Sequence, residues 1–189
     1  MEKTHKKAES LVINSTGQRP VKKELNKPVS LKEIPSKSII LEEFGEVDYL
    51  DSYKITQSTE LSVDKIATEI FKMSGIAAVL MKVRNSIVRL FGLAASGKEA
   101  PEQDYYPAGS KLMIFTVSAR NANEIVMEED DKHLKFRTSV LIDREKSEIY
   151  LTTVVKFNNW GGRLYFIPVK PVHRMLVKSQ FKKTMARIN

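Results

Sequence analysis

Asp51 and Arg84 are the two residues whose placement first suggests chemistry. Across 43–55 (EFGEVDYLDSYKI) a period of two puts Val47, Tyr49, Asp51, Tyr53 and Ile55 on one face of a strand, with Asp48, Ser52 and Lys54 on the other. A carboxylate on the apolar side of a strand is costly unless something pairs with it. Arg84 has the mirror problem. On a helical wheel it falls inside the apolar arc of Ile76, Val79, Leu80, Val83, Ile87 and Leu90, while Lys82, Asn85, Ser86 and Arg89 make the wet face. Together the two read as a polar anchor inside a cavity, in which Arg84 grips a ligand carboxylate or phosphate through its two-pronged guanidinium. The structural alternative is a plain buried ion pair, or an arginine that reaches the rim on its aliphatic stem.

His173 is the next candidate, on the apolar side of a C-terminal helix with Val177, Phe181, Met185 and Ile188. A histidine there can serve as acid or base near neutrality, or simply be a hydrogen-bonded core residue. With the phenols of Tyr49 and Tyr53, the candidate ligand-binding set is Tyr49, Asp51, Tyr53, Arg84 and His173, and no residue is assigned a catalytic role. His133 beside Asp130 and Asp131 resembles a fragment of a dyad or metal site, and reads equally as a polar turn. The acids at 124 and 128–131 lack the calcium-loop spacing, and no G-x-S-x-G or P-loop is present. Neither a metal nor a cofactor is expected.

The elements that must position these residues are organised around 133–158. There Leu134, Phe136, Thr138, Val140 and Ile142 alternate with polar residues, then a turn at 143–147 leads to Ile149, Leu151, Thr153, Val155 and Phe157 in the same rhythm. This is a hairpin with one face buried and one wet, and its apolar face needs a cover. Ser62 caps a helix carrying Val63, Ile66, Ala67, Ile70 and Phe71, Ser74-Gly75 ends it, and a second helix runs over 76–91 to Gly92. Residues 94–110 form a long loop, and strands follow at 111–119 and 124–128. Trp160-Gly161-Gly162 is expected to break the chain. Pro168 and Pro171 forbid regular helix at the next stretch, so the last helix is expected to begin at Pro171. Trp160, Tyr165 and Phe166 are placed at a cavity entrance or in the core. The predicted class is α+β: a curved antiparallel sheet, a helix pair after the first strand, and a C-terminal helix.

Composition bounds the rest. A chain of 189 residues with 42 % hydrophobic residues can bury a real core. The absence of cysteine removes disulfides and thiolate chemistry from consideration. The net charge of +8 is uneven. Residues 1–40 carry nine Lys/Arg against four Asp/Glu, and 170–189 carry six with no acid. Residues 1–40 are read as a basic arm, disordered or loosely docked, with Leu11-Val12-Ile13 and Ile39-Ile40-Leu41 as short docking strands. Residues 41–189 are read as one domain. No stretch has the length of a membrane span or a signal-peptide core, so a cytoplasmic protein is expected. The basic ends lack an aromatic-lined groove, and nucleic acid is not an expected partner.

The blocks DYLDSY (48–53), LMKVRNSIVRLFGL (80–93), EEDDKHLKFRTSVL (128–141), LTTVVKFNNWGGRLYF (151–166) and VKPVHRMLV (169–177) resemble, in order, an uncharacterised bacterial family catalogued as domain of unknown function 2867. The resemblance covers roughly 41–188. The element order is also similar to the helix-grip architecture (START-like, Bet v 1-like, SRPBCC), whose members mostly enclose a cavity for apolar ligands. Some relatives of the family carry the domain behind an NAD(P)-binding Rossmann domain, whose G-x-G-x-x-G this sequence lacks. The family implies no established activity.

Three readings follow. The first is a non-catalytic binding domain enclosing a pocket for a small, largely apolar ligand. The second is an enzyme on the same scaffold, a cyclase, isomerase or hydrolase using His173 with Asp51 or Arg84. The third is an interaction protein that docks on an acidic partner through its basic arm and terminal helix. An internal cavity of at least about 300 Å³ marks the first, convergence of the named side chains within about 3 Å around an open space the second, and steep loss of binding with salt the third.

Overall fold

The computed structural model describes residues 27–72, 101–130 and 132–188. Its strands are β1 (Val29–Leu31), β2 (Tyr49–Thr56), β3 (Lys111–Leu112), β4 (Phe115–Arg120), β5 (Glu124–Asp130), β6 (Leu134–Asp143) and β7 (Glu148–Phe157). Among the described residues two helices accompany them, α1 (Val63–Lys72) after β2 and α2 (Trp160–Arg187) at the C-terminal end. All strand pairs are antiparallel, in the order β1-β2-β7-β6-β5-β4-β3. The α+β class, with an antiparallel sheet and a C-terminal helix, is as the residue pattern predicts. The predicted second helix at 76–91, with Arg84, and the segment Leu11-Val12-Ile13 lie outside the described residues.

The β6–β7 hairpin pairs Leu134 with Phe157, Thr138 with Thr153 and Ile142 with Ile149, so the residues predicted to share a face do share it. That face carries the helices. Val140, Ile142, Ile149 and Leu151 pack with Val63, Ile66 and Ile70 of α1 and with Phe181 and Met185 of α2. Near the other end of the hairpin, Leu134 and Val155 pack with Tyr49, Phe166 and Val169. Burial of such side chains is worth about 1.5–3 kcal/mol each, which is why α1 and α2 are held to this face.

The opposite face is not wet, as alternation alone suggested. Ile40 and Phe44 cover it, packed on Val126 and Val154, with Ile34, Ile39 and Leu50 at the margin. The segment 38–44 folds as turns rather than as a strand. Glu42 N–H donates to the Ile39 carbonyl (3.0 Å) and Phe44 N–H to that of Leu41 (3.0 Å). Buried Glu124 fixes it, accepting from Ser38 Oγ (2.6 Å) and Ile39 N (2.7 Å). Arg137 donates to the carbonyls of Ile40 and Glu42, and its Nε donates to Glu128 at 2.7 Å. These groups would otherwise be buried unpaired, a cost of about 1–3 kcal/mol each.

Ser62 caps α1 as expected, accepting from Lys65 N at 3.1 Å. Asp64, in the first turn, points inward instead of merely facing the helix dipole. It takes Arg120 in a fork (2.7 and 3.0 Å) and the Tyr106 N–H (2.9 Å), tying α1 to β4 and to the loop before β3.

The largest departure from expectation is the start of α2. Trp160-Gly161-Gly162 opens the helix rather than breaking the chain, and the helix does not wait for Pro171. Asn159 is the N-cap, with its side chain accepting from Gly162 N at 3.0 Å. Glycine at 162 is a matter of space: a Cβ there would collide with the carbonyl of His133, lying 2.9 Å from its carbon. Pro168 and Pro171 sit inside the helix on its exposed side. Each removes one hydrogen bond, to the carbonyls of Leu164 and Ile167, and both of those residues are also exposed, on the side of the helix where solvent is available to a freed oxygen.

Candidate functional site

Strand alternation aims Tyr49, Asp51 and Tyr53 of β2 at α2. Their partners in β7 are Val155, Thr153 and Leu151, and Thr153 in turn faces Thr138 of β6. Asp51, Thr153 and Thr138 therefore form one polar row across the sheet. Thr153 donates to Thr138 Oγ1 (3.3 Å), which donates to the Thr152 carbonyl (3.1 Å). On one side of the row lies the apolar cluster of Tyr53, Leu151 and Phe181, and on the other that of Tyr49, Val155 and Phe166.

α2 brings His173 and Arg174 to this row. Asp51, only 3 % exposed, accepts from the Tyr53 hydroxyl at 3.0 Å. Its carboxylate also lies 3.6 Å from His173 Nδ1 and 3.8 Å from Arg174 Nε, inside ion-pair range and short of hydrogen bonding. His173 Nδ1 is buried and has no hydrogen-bond partner among the described residues. Arg174 Nε donates to the Tyr49 hydroxyl at 3.1 Å, and the Tyr53 hydroxyl also reaches the Arg174 carbonyl at 3.4 Å. Tyr49 packs edge-on against Phe166 (4.7 Å between ring centroids) and His173 (6.5 Å), and Lys170 and Arg174 lie over its ring at 5.4 and 5.5 Å.

The electrostatics keep both phenols protonated. Tyr49 is pushed up to about 12 by burial and by the negative charge of Asp51, against the opposing pull of Arg174. Tyr53 is driven well above its ordinary value by burial and by its hydrogen bond to Asp51. Arg174 is held still more firmly protonated by its bond to Tyr49. The arrangement is thus one buried carboxylate, two neutral phenols, a fixed cation and an imidazole nitrogen that no described residue hydrogen-bonds. It can receive a polar group and orient it.

Of the five residues singled out from the sequence, Tyr49, Asp51, Tyr53 and His173 come together, and Arg84 lies outside the described residues. Arg174 was missed. Its signal was its position next to His173, at the margin of the buried helix face. Thr138 and Thr153 carry no signal of their own, since a threonine in an alternating apolar face is ordinary in a strand. His133 belongs to a polar turn, its Nδ1 3.4 Å from Asn159 Oδ1 beside the α2 cap. Among the described residues no group of three His, Cys, Asp or Glu is placed to hold a metal ion. A groove of about 440 Å³ lies on the other face of the sheet, between 31–37 and Lys54, Leu141 and Tyr150. Two of its lysines are already paired, Lys37 with Asp143 and Glu145, and Lys54 with Glu148. No helix among the described residues is long and apolar enough to cross a membrane.

A family model described as "Protein of unknown function (DUF2867)" matches residues 43–180, and the chain belongs to that family. The match spans β2 through most of α2, including every residue of the polar row. No curated protein and no solved structure matches the chain.

Proposed function

We propose that this member of the DUF2867 family is a binding domain whose polar row holds the polar end of a small, largely apolar ligand. The observation that carries the reading is the buried His173 Nδ1, without a hydrogen-bond partner among the described residues and 3.6 Å from Asp51, at a polar row flanked by apolar clusters. Buried polar groups are nearly always paired, and an exception calls for a reason. A ligand hydroxyl or carbonyl that engages this nitrogen supplies one. Arg174 and Tyr49 lie where a more acidic head group would be met. The strand order, with β2 beside β7 and a long helix laid over the same face, supports a helix-grip reading of the scaffold.

Native mass spectrometry of the freshly purified chain tests this. The expected result is a mass above the 21.5 kDa of the chain, with an apolar small molecule released on denaturation. Asp51→Asn and His173→Gln should lose that molecule while keeping the fold. A wild-type protein that stays free of ligand, before and after incubation with lipid extract, overturns the reading.

A further inference from the structure

The 28 residues of α2 contain seven Lys/Arg and no Asp/Glu. Its inner face is buried, so its outer face should be polar, and over the first half it is not. Trp160, Leu164, Ile167 and Met175 are 75, 56, 67 and 65 % exposed. With exposed Pro171 they recur every third or fourth residue, which on a helix draws a single stripe about 22 Å long. Arg163, Lys170 and Arg174 run along one edge of the stripe, and Lys178 continues beyond its end. Among the described residues no ion pair engages Lys170, Lys178, Lys182 or Lys183.

We infer that this stripe docks the domain on an anionic lipid bilayer, with α2 lying in the plane of the interface. An apolar face rimmed by cations, with a tryptophan at one end, matches the boundary between acyl chains and negatively charged head groups. The charge pattern argues against the other occupants. Two copies of this face would bring acid-free, cationic helices together, which like-charge repulsion disfavours. A nucleic acid would meet the cations but leave the apolar stripe uncovered.

Trp160 is the only tryptophan of the chain, so its fluorescence reports on the stripe directly. The full-length protein is mixed with vesicles of phosphatidylcholine alone or with phosphatidylglycerol, followed by sedimentation and emission spectra. The expected result is co-sedimentation and a blue-shifted Trp160 with the anionic vesicles, weakened by salt. Leu164→Glu with Ile167→Glu should reduce binding about tenfold or more with an unchanged circular dichroism spectrum. That variant keeps the basic N-terminal segment, so undiminished binding by it would overturn the inference. Absence of a blue shift with anionic vesicles would do the same, as would a dimer in sedimentation equilibrium that the double substitution dissolves.

Discussion

His173 Nδ1 stands 3.6 Å from Asp51 Oδ2, with neither atom completing a hydrogen bond to the other. The two come from elements far apart in sequence, β2 and α2, and meet because β2 inserts beside the last strand, over which α2 then folds. Tyr53 already bonds to the same Asp51 oxygen. The carboxylate is thus oriented by its own strand and approached by the helix. Arg174, half exposed, joins this buried pair to the surface through Tyr49.

The Tyr53–Asp51 bond makes the first prediction. Asp51→Ala leaves the buried Tyr53 hydroxyl with only the distant Arg174 carbonyl, and should cost about 1–3 kcal/mol of stability. Tyr53→Phe should cost about 0.5–1.5 kcal/mol. Because the two groups bond to each other, the double variant should lose less than the sum, with a coupling of about 1 kcal/mol by urea unfolding. Strict additivity would show that the 3.0 Å contact carries no energy.

Alkaline pH supplies a second. A phenol whose pKa rises on folding contributes stability below its unfolded value and loses it as pH rises through the folded one. For Tyr49 that window runs from its ordinary value of 10.0 to about 12. Tyr53 and Tyr150 are raised as well, the latter by burial and its bond to Glu148, so the decline in the wild type is a sum. Tyr49→Phe should flatten the fall of unfolding free energy across this range while leaving its slope near neutrality unchanged. Parallel curves for the variant and wild type would contradict the assignment.

How much of this was legible beforehand depends on the kind of signal. Leu134, Val140, Ile149 and Val155 announce the hairpin because a period of two has no other reading, and Asp51 stands out as the one acid on the β2 face. The start of α2 was hidden. Gly161, Gly162, Pro168 and Pro171 are each a stop signal locally, and the helix forms through them because contacts distant in sequence decide. The His133 carbonyl admits only glycine at 162, and the prolines lie on the exposed side of the helix, where a freed carbonyl costs least. The cover of Ile40 and Phe44 was equally hard to see, since turns have no period. Arg174 is one of six basic residues over 170–189, and only the strand order distinguishes it, by putting Tyr49 within reach of its guanidinium.

Glu124 governs the cover on the far face and makes a third prediction. Burial pushes its carboxyl above the ordinary range, against the hydrogen bonds from Ser38 and Ile39 that favour its charge. Glu124→Ala should remove the acceptor for both donors, costing about 1–3 kcal/mol, and should raise amide exchange at 38–44 before the central strands open. Glu124→Gln retains an acceptor for Ile39 N–H and can donate to Ser38 Oγ, so it should lose less. Equal exchange at 38–44 in Glu124→Ala and the wild type would mean that Ile40 and Phe44 hold the segment by packing alone.

The glycine at 162 gives the sharpest test of how α2 begins. In Gly162→Ala the new methyl would overlap the His133 backbone, which is fixed by the Asn158 N–H donating to the same carbonyl at 2.9 Å. Neither partner is a flexible side chain, so the strain must be relieved by moving the helix start or the β5–β6 turn, at about 1–3 kcal/mol. That penalty should outweigh the gain that alanine brings to an ordinary helix position, roughly 1 kcal/mol. At Gly161 the nearest atoms belong to the Asn159 and His133 side chains, at 3.0 and 3.5 Å, so a give of a few tenths of an ångström makes room and the cap need not be lost. Gly161→Ala should therefore be neutral or stabilising in thermal unfolding while Gly162→Ala lowers the midpoint by several degrees. The reverse order would mean that the helix starts after these glycines, as their local propensities alone suggest, and that Asn159 is not its cap.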